Sequence, residues 1–293
     1  MLFDDTTLRR LNQLTLVAAR IRAGSIQGDR RSTRRGSSVE FADYRNYAPG
    51  DDLRRLDWNI YARLERPFIK LFEEEEDLAV TILLDGSGSM AWGQGDLNKF
   101  DYARRLAGGL GAVALSSGDQ LTISLLQDGQ LTAEEGPARG PAVLARFFRF
   151  LEKLETGGQT DLNGSLRQAA IRPRRAGLVI VISDLLAPDG YESGLRELLG
   201  RGNEAVLIHL LAPDELDPQM AGDLQLVDFE TGREQDVSLD GGLRGLYRQR
   251  AQAWLNSIRS DCRKRGIRYL QLTTREPWDQ ALLREMRQAG IVK

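Results

Sequence analysis

The stretch Asp77–Met90, DLAVTILLDGSGSM, decides how this chain is read. Apart from Thr81, Leu78–Leu84 is apolar, at the length of a strand buried on both faces. It runs into Asp85-Gly86-Ser87-Gly88-Ser89-Met90, which sets one carboxylate and two hydroxyls within five residues, between glycines that let the backbone turn tightly. Downstream, an Ala-, Leu- and Gly-rich segment 99–116 predicts a helix, followed by a strand at 120–126 with a hairpin partner near 130–132. Helices are expected at 141–154 and 162–171, a strand at 177–183, a helix at 191–199 and a strand at 205–211. A β-hairpin is expected over 224–229 and 234–239, turned by Glu230-Thr231-Gly232-Arg233. A long helix 243–265, a strand 267–272 and a helix 278–288 complete the pattern. Strands alternating with helices predict an α/β fold, a doubly wound and mostly parallel sheet with helices on both faces.

Upstream the composition differs. Residues 1–70 carry 14 Lys/Arg against 9 Asp/Glu, and the next seven, LFEEEED, carry five acidic groups. Leu8, Leu11, Leu14, Val17, Ala18 and Ile21 recur at helical spacing, predicting an amphipathic helix over 6–23. Gly24–Ser38, with Arg30, Arg31, Arg34 and Arg35, reads as a solvated loop. The expected organisation is an amino-terminal helix and loop extension, 1–76, packing on a main domain, 77–293, that carries a hairpin insertion near 223–240. The packing is expected through the first helix and through Phe41, Tyr44, Tyr47 and Trp58.

Composition excludes several classes of function. The 293 residues are 41% hydrophobic and 28% charged, which is ordinary for a folded chain, and the net charge of −2 gives no global attraction to nucleic acid or membranes. A single cysteine, Cys262, excludes a disulfide framework or a Cys-rich metal site, and a single histidine, His209, excludes two-histidine sites. Within AVLIHLL, His209 reads as a hydrogen-bonded core residue, and Cys262 as a plain thiol. The polar, acidic opening MLFDDTTLRRL is unlike a secretory signal, and no apolar run approaches the ~20 residues of a membrane span. The expectation is a cytoplasmic protein that binds no nucleic acid.

In open α/β sheets, ligands bind at the carboxyl ends of strands where the strand order reverses. Polar groups at those ends are Asp85, Ser87 and Ser89, then Asp184 after LVIVIS, with Thr160 in the Gly-rich GGQTD ahead of a helix. These are hard oxygen donors without sulfur or imidazole, suited to Mg²⁺, to Mn²⁺, or to Ca²⁺ in a looser site. Two carboxylates and three hydroxyls do not enclose such an ion, which leaves a position for water or for an acidic side chain of a partner. Taken alone, D-G-S-G-S is also the composition of an ordinary turn.

Asp85-x-Ser87-x-Ser89, Thr160 and Asp184 together resemble the metal-ion-dependent adhesion site (MIDAS) of von Willebrand factor type A domains. The resemblance implies a Rossmann-like fold and protein binding. It also implies Ser87 and Ser89 as direct ligands, Asp85 and Asp184 as charge-balancing ligands directly or through water, and Thr160 as a ligand that engages when the site changes state. Arg35-Gly36, Glu40-Phe41, Arg45-x-Tyr47-x-Pro49-Gly50-Asp51-Asp52-x-Arg54, Asp57-Trp58, Ala62-Arg63 and Lys70-x-Phe72-x-Glu74 look like the signature of domain-of-unknown-function family 58. The turn Asp228-Phe229-Glu230-Thr231-Gly232 fits it as well. Many members of that family carry amino-terminal membrane helices, which this sequence lacks. The resemblance implies association with MoxR-type AAA+ ATPases. The function expected is therefore a non-enzymatic, metal-dependent interaction module, an adaptor or partner of such an ATPase in assembly or maturation of protein complexes. The competing readings are a metal-assisted hydrolase using Asp85 and Asp184, and a structural subunit with a vestigial site. The sequence offers no G-x-S-x-G elbow, phosphate-binding loop or imidazole at the site to favour hydrolysis.

Overall fold

The computed structural model of the chain describes residues 3–18, 39–48, 51, 53, 56–74, 78–219, 222–228, 230, 232–239 and 241–293. Ten strands are seen among them: β1 Val39–Asn46, β2 Phe68–Glu74, β3 Ala79–Asp85, β4 Gln120–Gln127, β5 Gln130–Arg139, β6 Leu178–Ser183, β7 Glu204–Leu211, β8 Gly222–Val227, β9 Glu234–Leu239 and β10 Arg268–Thr273. The principal helices are α1 Asp5–Leu11, α2 Trp58–Leu64, α3 Lys99–Ser116, α4 Leu144–Lys153, α5 Leu162–Ile171, α6 Glu192–Gly200, α7 Pro213–Leu216 and α8 Gly241–Arg265. Residues 278–288 form a last helix with a π turn at Ala281–Glu285.

Six strands make one sheet in the order β10-β7-β6-β3-β4-β5, parallel except for β5. The chain moves from β3 to β4 on one side and back past β3 to β6 on the other, so the order reverses between β3 and β6. On one face Leu83, Val181 and Leu207 pack with Leu166 of α5, Leu195 of α6 and Ile258 and Cys262 of α8. The period-2 alternation of β3 turns Ile82 and Leu84 to the other face, which α3 covers. Glycines let neighbours close on α3: a Cβ at Gly109 would lie 2.3 Å from Leu282, and one at Gly108 would lie 3.0 Å from Phe3.

The alternating strands and helices expected over 77–293 are present; one expectation within that range and one ahead of it differ. The partner of β4 runs to Arg139, well beyond Thr132. Asp128 (φ +50°) and Gly129 (φ +71°) form a tight two-residue turn, and β5 is an edge strand that tolerates the polar, Gly- and Pro-containing sequence after residue 132. The first helix stops at Leu11 instead of continuing to residue 23. From Leu14 the backbone is extended: Leu16 bridges antiparallel to Val292, Thr15 N donates to Lys293 O (3.1 Å), and Lys293 N donates to Thr15 O (3.0 Å). The apolar spacing of Leu14, Val17 and Ala18 suits a helix, but pairing with the carboxyl terminus overrides it. The rest of that expected helix and the loop 24–38 lie outside the described residues.

The chain divides into two compact units, Met1–Ala18 with Leu78–Lys293, and Ala19–Asp77. Thus the amino-terminal stretch is split, its first 18 residues belonging with the six-stranded sheet. In the second unit β1 and β2 pair antiparallel. Asp57 caps α2 by accepting from Asn59 N (2.9 Å) and Ile60 N (3.1 Å), and it also takes the Tyr44 hydroxyl (3.0 Å). Asp51 accepts from Arg45 (2.8 Å) and Ala48 N (2.7 Å). Tyr44 and Trp58, expected among the packing aromatics, are 38% and 63% exposed. Pro49, Gly50, Asp52 and Arg54 lie outside the described residues, as does the side chain of Phe41.

Gly177, just ahead of β6, has no room for a side chain: a Cβ there would stand 1.9 Å from the backbone oxygen of Ala79. We expect Gly177→Ala to lower the unfolding free energy by about 1–3 kcal/mol or more, by forcing β3 and β6 apart. Gly200→Ala, where nothing lies within 4 Å, is expected to change it by less than about 1 kcal/mol. Urea unfolding of the two variants checks this contrast.

Candidate functional site

The carboxyl end of β3 is tied to the Gly-rich loop before α5 by two backbone bonds. Gly157 N donates to Gly86 O (2.8 Å), and Gly88 N donates to Gly158 O (3.1 Å). Gly158 sits at φ +75°, which favours glycine there. This lacing brings Ser87 and Ser89 beside Thr160. The Ser87 and Ser89 hydroxyl oxygens are 3.1 Å apart, close to the ~3.0 Å edge of an octahedron built from ~2.1 Å bonds.

Asp85 is buried under this loop. Its Oδ1 accepts from Ser87 N (3.0 Å) and its Oδ2 from the Ser183 hydroxyl (2.6 Å). Burial, and then the charge of Asp184, push its pKa up to about 6, against the pull of those hydrogen bonds. No ion pair is made by Asp85 among the described residues. A cation would suit that carboxylate.

Asp184, at the end of β6, is arranged differently. Its Oδ2 accepts from Lys99 Nζ (2.6 Å) and its Oδ1 from Leu186 N (3.0 Å). Lys99 is fully buried at the start of α3 and also donates to Glu215 Oε1 of α7 (2.6 Å). Burial works against the ammonium, but the two carboxylates outweigh it and hold the Lys99 pKa above its ordinary value. Glu215 is raised by burial despite its cationic partner. His209 supports the same strand end: its Nε2 meets Asp184 O at 2.9 Å and its Nδ1 meets the Tyr269 hydroxyl at 2.8 Å. Burial pushes His209 down to about 4, so it is a neutral, hydrogen-bonded core residue.

A further carboxylate reaches the loops from the β8–β9 hairpin. Glu230 Oε2 accepts from Thr160 N (2.9 Å), Oε1 lies 3.4 Å from Ser89 N, and Oε1 also accepts a short bond from the Thr160 hydroxyl. Asp228 shapes the turn that presents it: Glu230 N donates to Asp228 Oδ1 (3.1 Å), Asp228 N to Arg233 O (2.8 Å), and Gly232 N to Asp228 O (2.9 Å), with Gly232 at φ +67°.

The structure therefore brings Ser87, Ser89 and Thr160 together over Asp85, around Glu230, while Asp184 spends both oxygens on Lys99 and Leu186. Among the described residues no three carboxylate, imidazole or thiol groups converge as a metal cluster. A cation here would rest chiefly on hydroxyls, and the spacing of the serine pair fits that role. Sequence reasoning missed Lys99, Glu215 and Ser183, which lie far apart in the chain and belong to no motif. Glu230 was visible only as part of a turn.

Removing Lys99 leaves two carboxylates near each other without their shared cation. We expect Lys99→Met to destabilise the fold by about 3–5 kcal/mol. Arg167→Ala, which breaks the solvent-exposed pair with Glu197, should cost less than about 1 kcal/mol. Thermal or chemical unfolding of both variants checks the ranking.

Comparison with known proteins gives a family without an assigned activity. The chain is 27% identical over 279 residues to uncharacterised proteins of Mycobacterium tuberculosis (strain H37Rv) and Mycobacterium bovis, covering 94% of this chain and 87% of each relative. Among solved structures it is similar to the conserved hypothetical protein BatB from Bacteroides thetaiotaomicron (16% identity, TM-score 0.44, 72% of this chain and 98% of that one). It is also similar to an aerotolerance-related membrane protein from Bacteroides fragilis (16%, 0.45, 73% and 98%). At those values neither likeness bears on the site. No helix among the described residues is long and apolar enough to cross a membrane. The family described as "Protein of unknown function DUF58" matches residues 43–254, and this chain belongs to it.

Proposed function

We propose that this protein is a non-enzymatic, divalent-metal-dependent interaction module whose ion, Mg²⁺ in the first instance, is held by Asp85, Ser87, Ser89 and Thr160. Asp184 stands behind them, its charge balanced by Lys99. The observation that carries this reading is the lacing of the Ser87–Ser89 turn to the Thr160 loop beside a buried carboxylate that has no basic partner among the described residues, where the strand order reverses. The resemblance to the metal-ion-dependent adhesion site of von Willebrand type A domains rests on the same residues. When bound, the ion supplies an exchangeable position for an acidic side chain of a partner protein. Trp92 and Leu186, exposed next to the two strand ends, offer apolar contact around it. A MoxR-type AAA+ ATPase is the proposed partner on the strength of the family resemblance, with assembly or maturation of protein complexes as the setting.

Calorimetry or pull-down against a MoxR-type ATPase, with Mg²⁺ and then with EDTA, tests the reading. Chelation and Asp85→Ala are each expected to weaken the complex by about 30- to 1000-fold, the 2–4 kcal/mol of an interface hot spot. The fold should survive chelation, because the sheet core is apolar. Equal affinity under both conditions, with Asp85→Ala still bound, would overturn the metal-dependent reading. Turnover of ATP, esters or phosphomonoesters that vanishes in Ser87→Ala would establish the hydrolase instead.

A further inference from the structure

The group seated against the Ser89 and Thr160 loops is the chain's own carboxylate. We propose that Glu230 is a resident plug: it fills the seat that takes an acidic side chain from a partner, so the β8–β9 hairpin and the partner's acid exclude each other. The inference rests on the proposed function and names the chemistry the site recognises, a carboxylate, and the segment that regulates access to it.

Glu230 takes the donors a carboxylate seat requires. Thr160 N and the Thr160 hydroxyl bind its two oxygens, and Ser89 N lies within 3.4 Å of one of them. Both amides belong to loops already fixed by Gly157 N→Gly86 O and Gly88 N→Gly158 O, so the seat exists without the plug. The hairpin is built to leave. Its two strands pair with each other, Leu226 and Val227 of β8 are 46% and 58% exposed, and a two-stranded ribbon is marginal by itself. The Asp228 turn is short-range, so it presents the same carboxylate whether or not the hairpin is docked. A partner acid would inherit the Thr160 and Ser89 donors, leaving no desolvated amide behind.

Single-residue amide exchange on the full chain tests this, in Mg²⁺ and in EDTA, with wild type, Glu230→Gln and Glu230→Ala. Thr160 N is expected to exchange about tenfold faster or more in Glu230→Ala, the loss of a charged acceptor, with Glu230→Gln intermediate. Gly88 N, whose acceptor is Gly158 O, should be unchanged in all three and reports that the loops remain folded. Acetate is then the probe of the seat: it should restore Thr160 protection in Glu230→Ala, chloride at equal ionic strength should not, and wild type should be indifferent to both. Equal Thr160 exchange in wild type and Glu230→Ala, or acetate without effect on Glu230→Ala, would overturn the plug. If Glu230-dependent protection and acetate rescue are the same in Mg²⁺ and EDTA and no Mg²⁺ binding is found, the plug stands and the metal-dependent function fails.

Discussion

Strand β3 hydrogen-bonds to parallel neighbours on both edges, β4 and β6, and is covered on both faces. With both edges and both faces taken, the strand is apolar apart from Thr81 until its end, where a carboxylate appears. There the chain must leave the sheet at the point where strand order reverses. Asp85 occupies the last paired position, against Leu126 of β4, and after it Gly86, where a Cβ would stand 2.6 Å from Leu125, and Gly88 exchange backbone bonds with the neighbouring loop. The position of the candidate site is thus a consequence of pairing topology, and its chemistry is a consequence of which side chains the turn exposes.

Charge then divides the site into two halves. Lys99 balances Asp184 and Glu215 in a buried cluster to which His209 adds no proton, since burial keeps its imidazole neutral. That half is a structural joint: it ties the start of α3 to the end of β6 and to α7. Asp85 and Glu230 lie in the other half, where hydroxyls and amides supply their hydrogen bonds and no ion pair is made to either among the described residues. Hydroxyls and amides satisfy a carboxylate's lone pairs without neutralising it. The two aspartates that look equivalent in the motif therefore do different work.

The sequence reads well where a pattern is local. The apolar run before Asp85 and the LVIVIS run before Asp184 give strands within a residue or two of those observed, and the Gly/Ser composition of 86–89 gives the turn. It reads poorly where a distant partner decides. Leu14–Ala18 have helical spacing but pair with residues 291–293. Lys99 is an unremarkable first residue of a helix until Asp184 and Glu215, 85 and 116 positions away, close on it. Ser87 meets both Asp85 and Ser89, Thr160 is tied to Glu230, and Asp184 turns to Lys99, a preference no motif encodes.

Glu230 shows why a recognisable turn can carry chemistry that its spacing does not reveal. Asp228, Glu230 and Gly232 were legible as turn residues, and they do hold the turn, through the Asp228 carboxylate and a left-handed glycine. Glu230 stands in that turn, and its side chain is held by Thr160. The turn's stiffness is local while the ribbon behind it is exposed. On the proposed reading, a locally stiff tip on an exposed two-stranded stem can leave its seat without opening the sheet. A carboxylate placed instead on β3 or β6 could not be exchanged without opening the sheet. On the proposed reading, a seat in loops laced to the end of β3 and an acid carried on an insertion divide the work between form and access.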